Sequence, residues 1–193
     1  YLASSDSEGI LRSRIAADMP LQTLAYGESI EHHGVKLSFH PAGHVLGSAQ
    51  VRLEYRGEVW VASGDYKVEP DGTCAPFEPV PCQVFISEAT FGLPVFRHPD
   101  PAGEMQRLLA SMAEFPERHH LIGAYALGKA QRLIMLARQA GIDGPIAIHG
   151  ALQRLCDYHV EQGIDLGPLV PATAKQVDAQ LVIAPPSAFA SAW

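Results

Sequence analysis

Through the first ninety residues, apolar and polar positions alternate in short runs that predict strands separated by glycine-bearing turns. Val35, Leu37 and Phe39 alternate with polar neighbours, and Val51, Leu53 and Tyr55 do so again. Leu21–Leu24 and Glu28–Glu31 are further short strand candidates, and His33-Gly34 and Arg56-Gly57 stand where hairpin turns are needed. Glu58–Ser63 places Trp60 and Ala62 among Val59 and Val61, so it reads as a strand buried on both sides. Four prolines between Tyr66 and Cys82 mark a loop, and Gln83–Ser87 is a last short apolar strand. Ahead of these strands, Ser4, Ser5 and Asp6 offer caps for a helix with Ile10, Leu11 and Ile15 on its apolar side.

The period changes after Leu93-Pro94. Asp100-Pro101 combines an N-cap residue with proline at the first helical position, opening a helix to about Phe115. His120–Tyr125, Pro145–His149 and Gln180–Ala184 read as strands, with helices over Gly128–Gln139 and Ala151–Glu161. Strands alternating with helices of that length imply βαβ units and a parallel sheet. The expected boundary lies near residue 93, giving domains 1–92 and 93–193.

Composition narrows the function classes only a little. At 193 residues, 47% hydrophobic and 18% charged, the chain is ordinary for a globular protein of one domain or two small ones. A net charge of −7 argues against coating nucleic acid by bulk electrostatics. It leaves a nuclease open, because bound metal ions can supply the local positive field. There is no run of roughly 20 apolar residues and no signal peptide, so no membrane partner is expected. Cys74, Cys82 and Cys156 lack metal-type spacing and read as free thiols of a reducing, cytoplasmic compartment. The chain opens at Tyr1 without methionine and stops at Trp193 without a polar tail. It is therefore expected to be an internal piece of a longer protein.

Three polar breaks follow apolar runs, and each carries one group able to do chemistry. His44 lies in His40-Pro41-Ala42-Gly43-His44-Val45-Leu46-Gly47-Ser48-Ala49, Asp65 in Ser63-Gly64-Asp65-Tyr66-Lys67, and Glu88 in Ser87-Glu88-Ala89-Thr90-Phe91-Gly92. His40 and His44 have the spacing of two helical zinc ligands, but Pro41 and Gly43 between them rule out the helix. Taken singly, each residue has a plain structural reading: a loop histidine, a turn aspartate, a glutamate capping the next loop. Tyr125, Phe85 and Trp60 read as core, and His32, His33, His119, His120 and His159 as turn or surface residues. His149 reads as the close of a strand. The set Lys129, Arg132 and Arg138 fits a solvated helix face or a nucleic-acid contact.

Taken together, the runs resemble the metallo-β-lactamase-fold nucleases that carry a β-CASP insertion. The residues that carry this are Pro41–Gln50, Val59–Lys67, Cys74-Ala75-Pro76-Phe77-Glu78-Pro79, Phe85–Pro94, Tyr125-Ala126-Leu127-Gly128-Lys129-Ala130-Gln131 and Ile183–Ala188. Within that group the chain resembles the bacterial DNA ligase-associated exonucleases, also labelled mRNA 3′-end processing factors.

The resemblance implies an α/β fold: part of a metallo-β-lactamase αββα sandwich over 1–92 and part of a βαβ-type β-CASP domain over 93–193. It implies His44 as a ligand of one of two zinc ions, with manganese the alternative metal, and Asp65 as the carboxylate bridging both. Glu88 would orient a later histidine acting as general acid, and Gly128 with Lys129 would meet phosphate at a helix start. The implied parent is a nuclease acting on DNA ends beside a DNA ligase and a helicase, or on RNA 3′ ends. A metal-free nucleic-acid-binding scaffold is the reading from a different class. The family's His-x-His-x-Asp-His run and its later histidine motifs do not occur in these 193 residues. The chain alone is accordingly expected to be inactive and to expose apolar sheet.

Overall fold

The computed structural model describes residues 1–173 and 177–190; Trp193 lies outside the described residues. The fold is mixed α/β, and the chain divides into two compact units, Tyr1–Phe96 and Arg97–Trp193.

The first unit is built on a five-stranded sheet. Its strands are β3 (Ser29–His32), β4 (Val35–Pro41), β5 (Ala49–Tyr55), β6 (Glu58–Ala62) and β7 (Val84–Ile86), in that spatial order. The first four pair antiparallel, and β6 pairs with β7 in parallel. Both hairpin turns use two successive left-handed residues, His33 (φ 51°) with Gly34 (φ 80°) and Arg56 (φ 51°) with Gly57 (φ 83°). That backbone twist matches the twist of the flanking strands. A two-stranded parallel sheet, β1 (Leu2–Ser4) with β2 (Gln22–Leu24), flanks a 3-10 turn over Ser5–Ser7 and helix α1 (Glu8–Arg14). The helix lies where the caps predicted it, whereas the strand β1 just ahead of it was not anticipated.

The two faces of the five-stranded sheet differ. Val59 and Val61 are buried on one face, whereas Trp60 between them is 44% exposed. The expectation that β6 is buried on both sides is therefore corrected. Trp60 belongs to a directly opposed row running Ile30, Leu37, Leu53, Trp60, Val84 across all five strands. Next to it, Val35, Leu53, Tyr55, Glu58 and Trp60 line a hollow of about 260 Å³. Phe85 and Tyr125 are exposed as well, so none of the three aromatics read as core is in it.

The second unit is a four-stranded parallel sheet in the order β10 (Leu169–Ala172), β9 (Ile146–His149), β11 (Leu181–Ala184), β8 (His120–Gly123). Helix α2 (Pro101–Glu114) precedes β8, α3 (Lys129–Gln139) connects β8 to β9, and α4 (Gly150–Glu161) connects β9 to β10. Asp100 caps α2 by accepting from the N–H groups of Ala102 and Gly103. One core gathers Met105 of α2, Ile134 and Ala137 of α3, Leu152 and Cys156 of α4, and Ile146, Ile148, Leu181 and Ile183 of the sheet. The strand β10 was not anticipated from the sequence. Pro171 interrupts its apolar run, and an edge strand is where a sheet tolerates proline.

Two polar residues of this unit differ from their sequence reading. His159 is fully buried in α4, its Nδ1 bonded to the Leu155 carbonyl at 2.7 Å, and is not a surface residue. Arg138 is not a solvated helix charge. Its guanidinium donates to the carbonyls of Leu166 (3.0 Å), Ile142 (2.6 Å), Gly144 (2.5 Å) and Pro168 (2.7 Å). Gly167 makes room for it, since a Cβ there would lie 2.5 Å from the arginine Nε.

That fork ties the end of α3 to the loop entering β10, so Arg138→Met leaves several carbonyls short of donors. The substitution is expected to destabilise the protein by about 2–3 kcal/mol. Arg138→Lys, with a single ammonium in place of a planar fork, restores only part of the loss. Urea unfolding followed by far-UV circular dichroism measures both.

Candidate metal and phosphate site

Strand directions decide which groups meet. Since β4 and β6 both run antiparallel to β5, and β7 runs parallel to β6, the C-terminal ends of β4, β6 and β7 lie at one end of the sheet. His44 follows β4, Asp65 follows β6 and Glu88 follows β7.

The loop 42–48 is shaped by backbone constraint. Gly43 (φ 71°) and Gly47 (φ 79°) both adopt the left-handed region. A Cβ at Gly43 would collide with the Lys67 carbonyl and sit 2.8 Å from the Phe77 nitrogen; one at Gly47 would sit 2.5 Å from the Ser7 nitrogen. The Ala42 N–H donates to the Ser48 carbonyl, and the Ser48 hydroxyl accepts from the N–H groups of both His44 and Val45. Buried Ser4 donates to the Gly47 carbonyl at 2.6 Å, and the Tyr26 hydroxyl to the Ser48 carbonyl at 2.9 Å.

Within this frame His44 Nε2 lies 3.9 Å from Asp65 Oδ2, with the two side chains 44% and 75% exposed. An imidazole nitrogen and a carboxylate oxygen are zinc-type donors, and two ligands of one tetrahedral ion stand roughly 3.3 Å apart. A closure of about half an ångström would let both reach one cation. The pair therefore fits a metal as two of its ligands. Among the described residues no group of three or more His, Cys, Asp or Glu is arranged to hold one.

Glu88 accepts from the Thr90 N–H at 2.6 Å. Its carboxyl is held below the ordinary carboxylate range first by hydrogen bonding from Thr90 and, in smaller part, by His44. Tyr66, next to Asp65, packs against Phe77 (ring centroids 5.3 Å) and edge-on to Phe85 (6.1 Å). Its hydroxyl lies 3.3 Å from Ser87 Oγ, linking the Asp65 loop to the Glu88 loop.

His40 faces elsewhere: its Nδ1 is 3.0 Å from Glu78 Oε1 and its Nε2 3.1 Å from Ser38 Oγ. It pairs in register with Gln50, which is fully buried and was not singled out from the sequence. In the alternation it falls with Arg52 and Glu54 among the polar positions, so the sequence pattern alone did not mark it as buried. In the second unit, Gly128 (φ 78°) begins α3, and its N–H donates to Gln131 Oε1 at 2.8 Å. Ala130 N–H is taken by the Tyr125 carbonyl. Lys129 is exposed, its ammonium 5.5 Å from the Tyr125 ring centroid. His149 ends β9 and caps α4 by accepting from the Ala151 N–H.

No protein-family model matches the chain. Curated relatives do. Over 67% of the chain it is 32% identical to Cleavage and polyadenylation specificity factor subunit 3 of Dictyostelium discoideum, covering 17% of that protein. Over its full length it is 27% identical to a protein named "Probable DNA ligase" from Opitutus terrae, covering 19% of it. Over 60% of the chain it is 29% identical to Endoribonuclease YSH1 of Saccharomyces cerevisiae, covering 15% of it. The chain thus spans less than a fifth of the length of each of these relatives.

Two half-buried acids around the His44 loop set an alkaline limit on its frame. Burial first, then Asp71, pushes the Cys74 thiol from 9.0 to about 11; burial first, then Asp6, pushes the Tyr26 hydroxyl from 10.0 to about 12. Both shifts favour the protonated form in the folded state. Their stabilisation is present below pH 9 to 10 and is lost as pH rises through about 11 and 12. The urea midpoint is expected to fall across that window, and a Tyr26→Phe, Cys74→Ala variant to show a flatter alkaline limb.

Proposed function

The chain belongs to the β-CASP metallo-β-lactamase nucleases, and on that premise we propose that it is part of a metal-dependent phosphodiester hydrolase acting on DNA ends. The observation that carries the reading is the His44–Asp65 pair, 3.9 Å apart at a sheet end it shares with Glu88. Residues 1–92 are then the metal-bearing part and 93–193 the β-CASP part.

The family implies metal ions. In this reading His44 would be a ligand of one of two zinc ions and Asp65 a carboxylate shared by both, with manganese the alternative, and the remaining ligands would come from polypeptide outside these residues. Bound metal would supply an activated water at neutral pH and screen the phosphodiester charge. The chain's own residues do the rest. Asp65 has two carboxylate oxygens, enough to bridge two cations. Glu88 stays ionised at neutral pH and is free to accept a hydrogen bond from the histidine that protonates the leaving oxygen. Gly128 and Lys129 offer a phosphate contact through the exposed ammonium over Tyr125; the N–H of Gly128 is already occupied.

A relative named as a probable DNA ligase, matched along the entire chain, supports the DNA reading and a link to ligation. The second reading is RNA 3′-end processing, supported by the relatives named as a polyadenylation factor subunit and an endoribonuclease. Comparing cleavage of 3′- and 5′-labelled DNA and RNA by a protein extended beyond these residues decides between them.

Two outcomes are expected. The extended protein binds about two zinc ions, and the 193-residue chain alone cleaves neither substrate; turnover by the short chain removes the split-site reading. In the extended protein, Glu88→Gln lowers turnover roughly 10²–10⁴-fold with metal content unchanged. Loss of metal in that variant reassigns Glu88 as a ligand.

A further inference from the structure

The loops bearing His44 and Asp65 have no regular structure to hold them at 3.9 Å, yet the root of the His44 loop, to which the Asp65 loop is bonded through Lys67, is held by a single buried side chain. Gln50 is fully buried on β5. Its Nε2 donates to the Pro41 carbonyl at 2.9 Å and to the Glu78 carbonyl at 2.7 Å. The Pro41 carbonyl also accepts from the Glu78 N–H at 3.2 Å, and the next residue, Ala42, accepts from the Lys67 N–H at 2.9 Å. Pro41-Ala42 is the root of the His44 loop, and Lys67 stands two residues beyond Asp65. Glu78 also reaches back with its carboxylate to His40, Gln50's register partner. Three chain segments with no ladder between them are thus joined where the two candidate ligands leave the sheet.

We propose that Gln50 is a positioning residue: its amide fixes the root of the His44 loop against the 77–79 segment and so presets the spacing of His44 and Asp65. The inference rests on the reading of those two residues as ligands. The place calls for two donors, which the amide nitrogen supplies, while the amide oxygen is buried without a hydrogen-bond partner among the described residues. A carboxylate could not donate to two carbonyls, and an aliphatic side chain would leave both short of a buried donor. A charged donor would need a buried counter-ion, whereas the neutral amide needs none. A core residue whose task is only to fill space has no need of two donors aimed at two different segments.

The test compares the unaltered chain with Gln50→Met, which keeps length and volume, and with Arg138→Met, which weakens the other unit. Amide hydrogen exchange by NMR reads the loop roots without any metal. Millimolar Mn²⁺ reads the ligand pair by paramagnetic broadening of the His44 ring signal, with His44→Ala and Asp65→Ala as references. In Gln50→Met, the amides of Ala42, Lys67 and Glu78 are expected to lose protection about tenfold more than that of Leu53 on β5. The Mn²⁺ concentration for half-broadening at His44 is expected to rise at least tenfold, the scale on which groups behind a ligand act. Arg138→Met should shift neither. Unchanged protection at the three amides overturns the proposal, and so does loosened protection with undiminished Mn²⁺ response. Broadening in the unaltered chain that survives Asp65→Ala, or no broadening at His44 at all, instead overturns the ligand reading and takes this proposal with it.

Discussion

The chemistry available to the first unit depends on how tightly the backbone closes over loop 42–48. A seven-residue connection between two antiparallel strands would ordinarily be free to drift. Here it is pressed against Ser7 at one glycine and against Lys67 and Phe77 at another, with no room for a Cβ at either place. Those contacts fix where the loop passes. The hydrogen bonds of Ser48 then fix how it turns, since one hydroxyl satisfies two successive N–H groups. His44 is therefore presented by a loop whose backbone groups are committed, while its imidazole stays at the surface. Strand pairing alone could not do this, because β4 and β5 stop pairing at Pro41 and Ala49.

The second unit solves a similar problem with a charge in place of an amide. Arg138 gathers four carbonyls around the loop that enters β10, and its partial burial pulls the guanidinium below its ordinary basicity, against a smaller opposing effect of Asp143 and Asp165. A planar fork suits carbonyls spread around one bend, and the nearby carboxylates offset the charge. Gln50 has fewer acceptors to reach and no carboxylate bonded to it, so a neutral side chain suffices. In both cases a single polar residue organises irregular backbone that neither helix nor sheet can satisfy.

Much of this was legible in the chain. The alternations through Val35–Tyr55, the two-residue turns at His33-Gly34 and Arg56-Gly57, and the Asp100-Pro101 cap are local signals, and local physics decides them. What escaped the sequence was decided by tertiary context. Strand β1 exists only because three residues pair with β2 eighteen or more positions away. Strand β10 hides behind Pro171, acceptable only because that strand takes an edge. Trp60, Phe85 and Tyr125 were placed in the core on hydropathy, but which face of a sheet is covered depends on what packs there. His44, Asp65 and Glu88 stood out through their glycine-rich surroundings. Gln50 did not, and Arg138 was read as a helix-face charge, because part of the carbonyls they serve comes from segments distant in sequence.

The exposure of the His44–Asp65 pair separates chemistry from stability in a useful way. Two side chains 44% and 75% exposed at 3.9 Å contribute little to folding, since water screens the attraction and fixing both side chains costs entropy. Glu88, bonded to the backbone two residues on, is likewise a local feature. Substituting any of the three should leave the sheet standing, so a loss of metal or turnover there reports on the site itself. The residues behind them behave oppositely. Gly43, Gly47 and Gln50 offer no donor to a metal, yet each is fixed by surrounding backbone, and changes there would reach the site only by moving it. On the proposed reading, exposed and replaceable candidate ligands stand on a backbone that cannot be replaced: groups that would react must meet solvent and substrate, and the atoms that aim them must not.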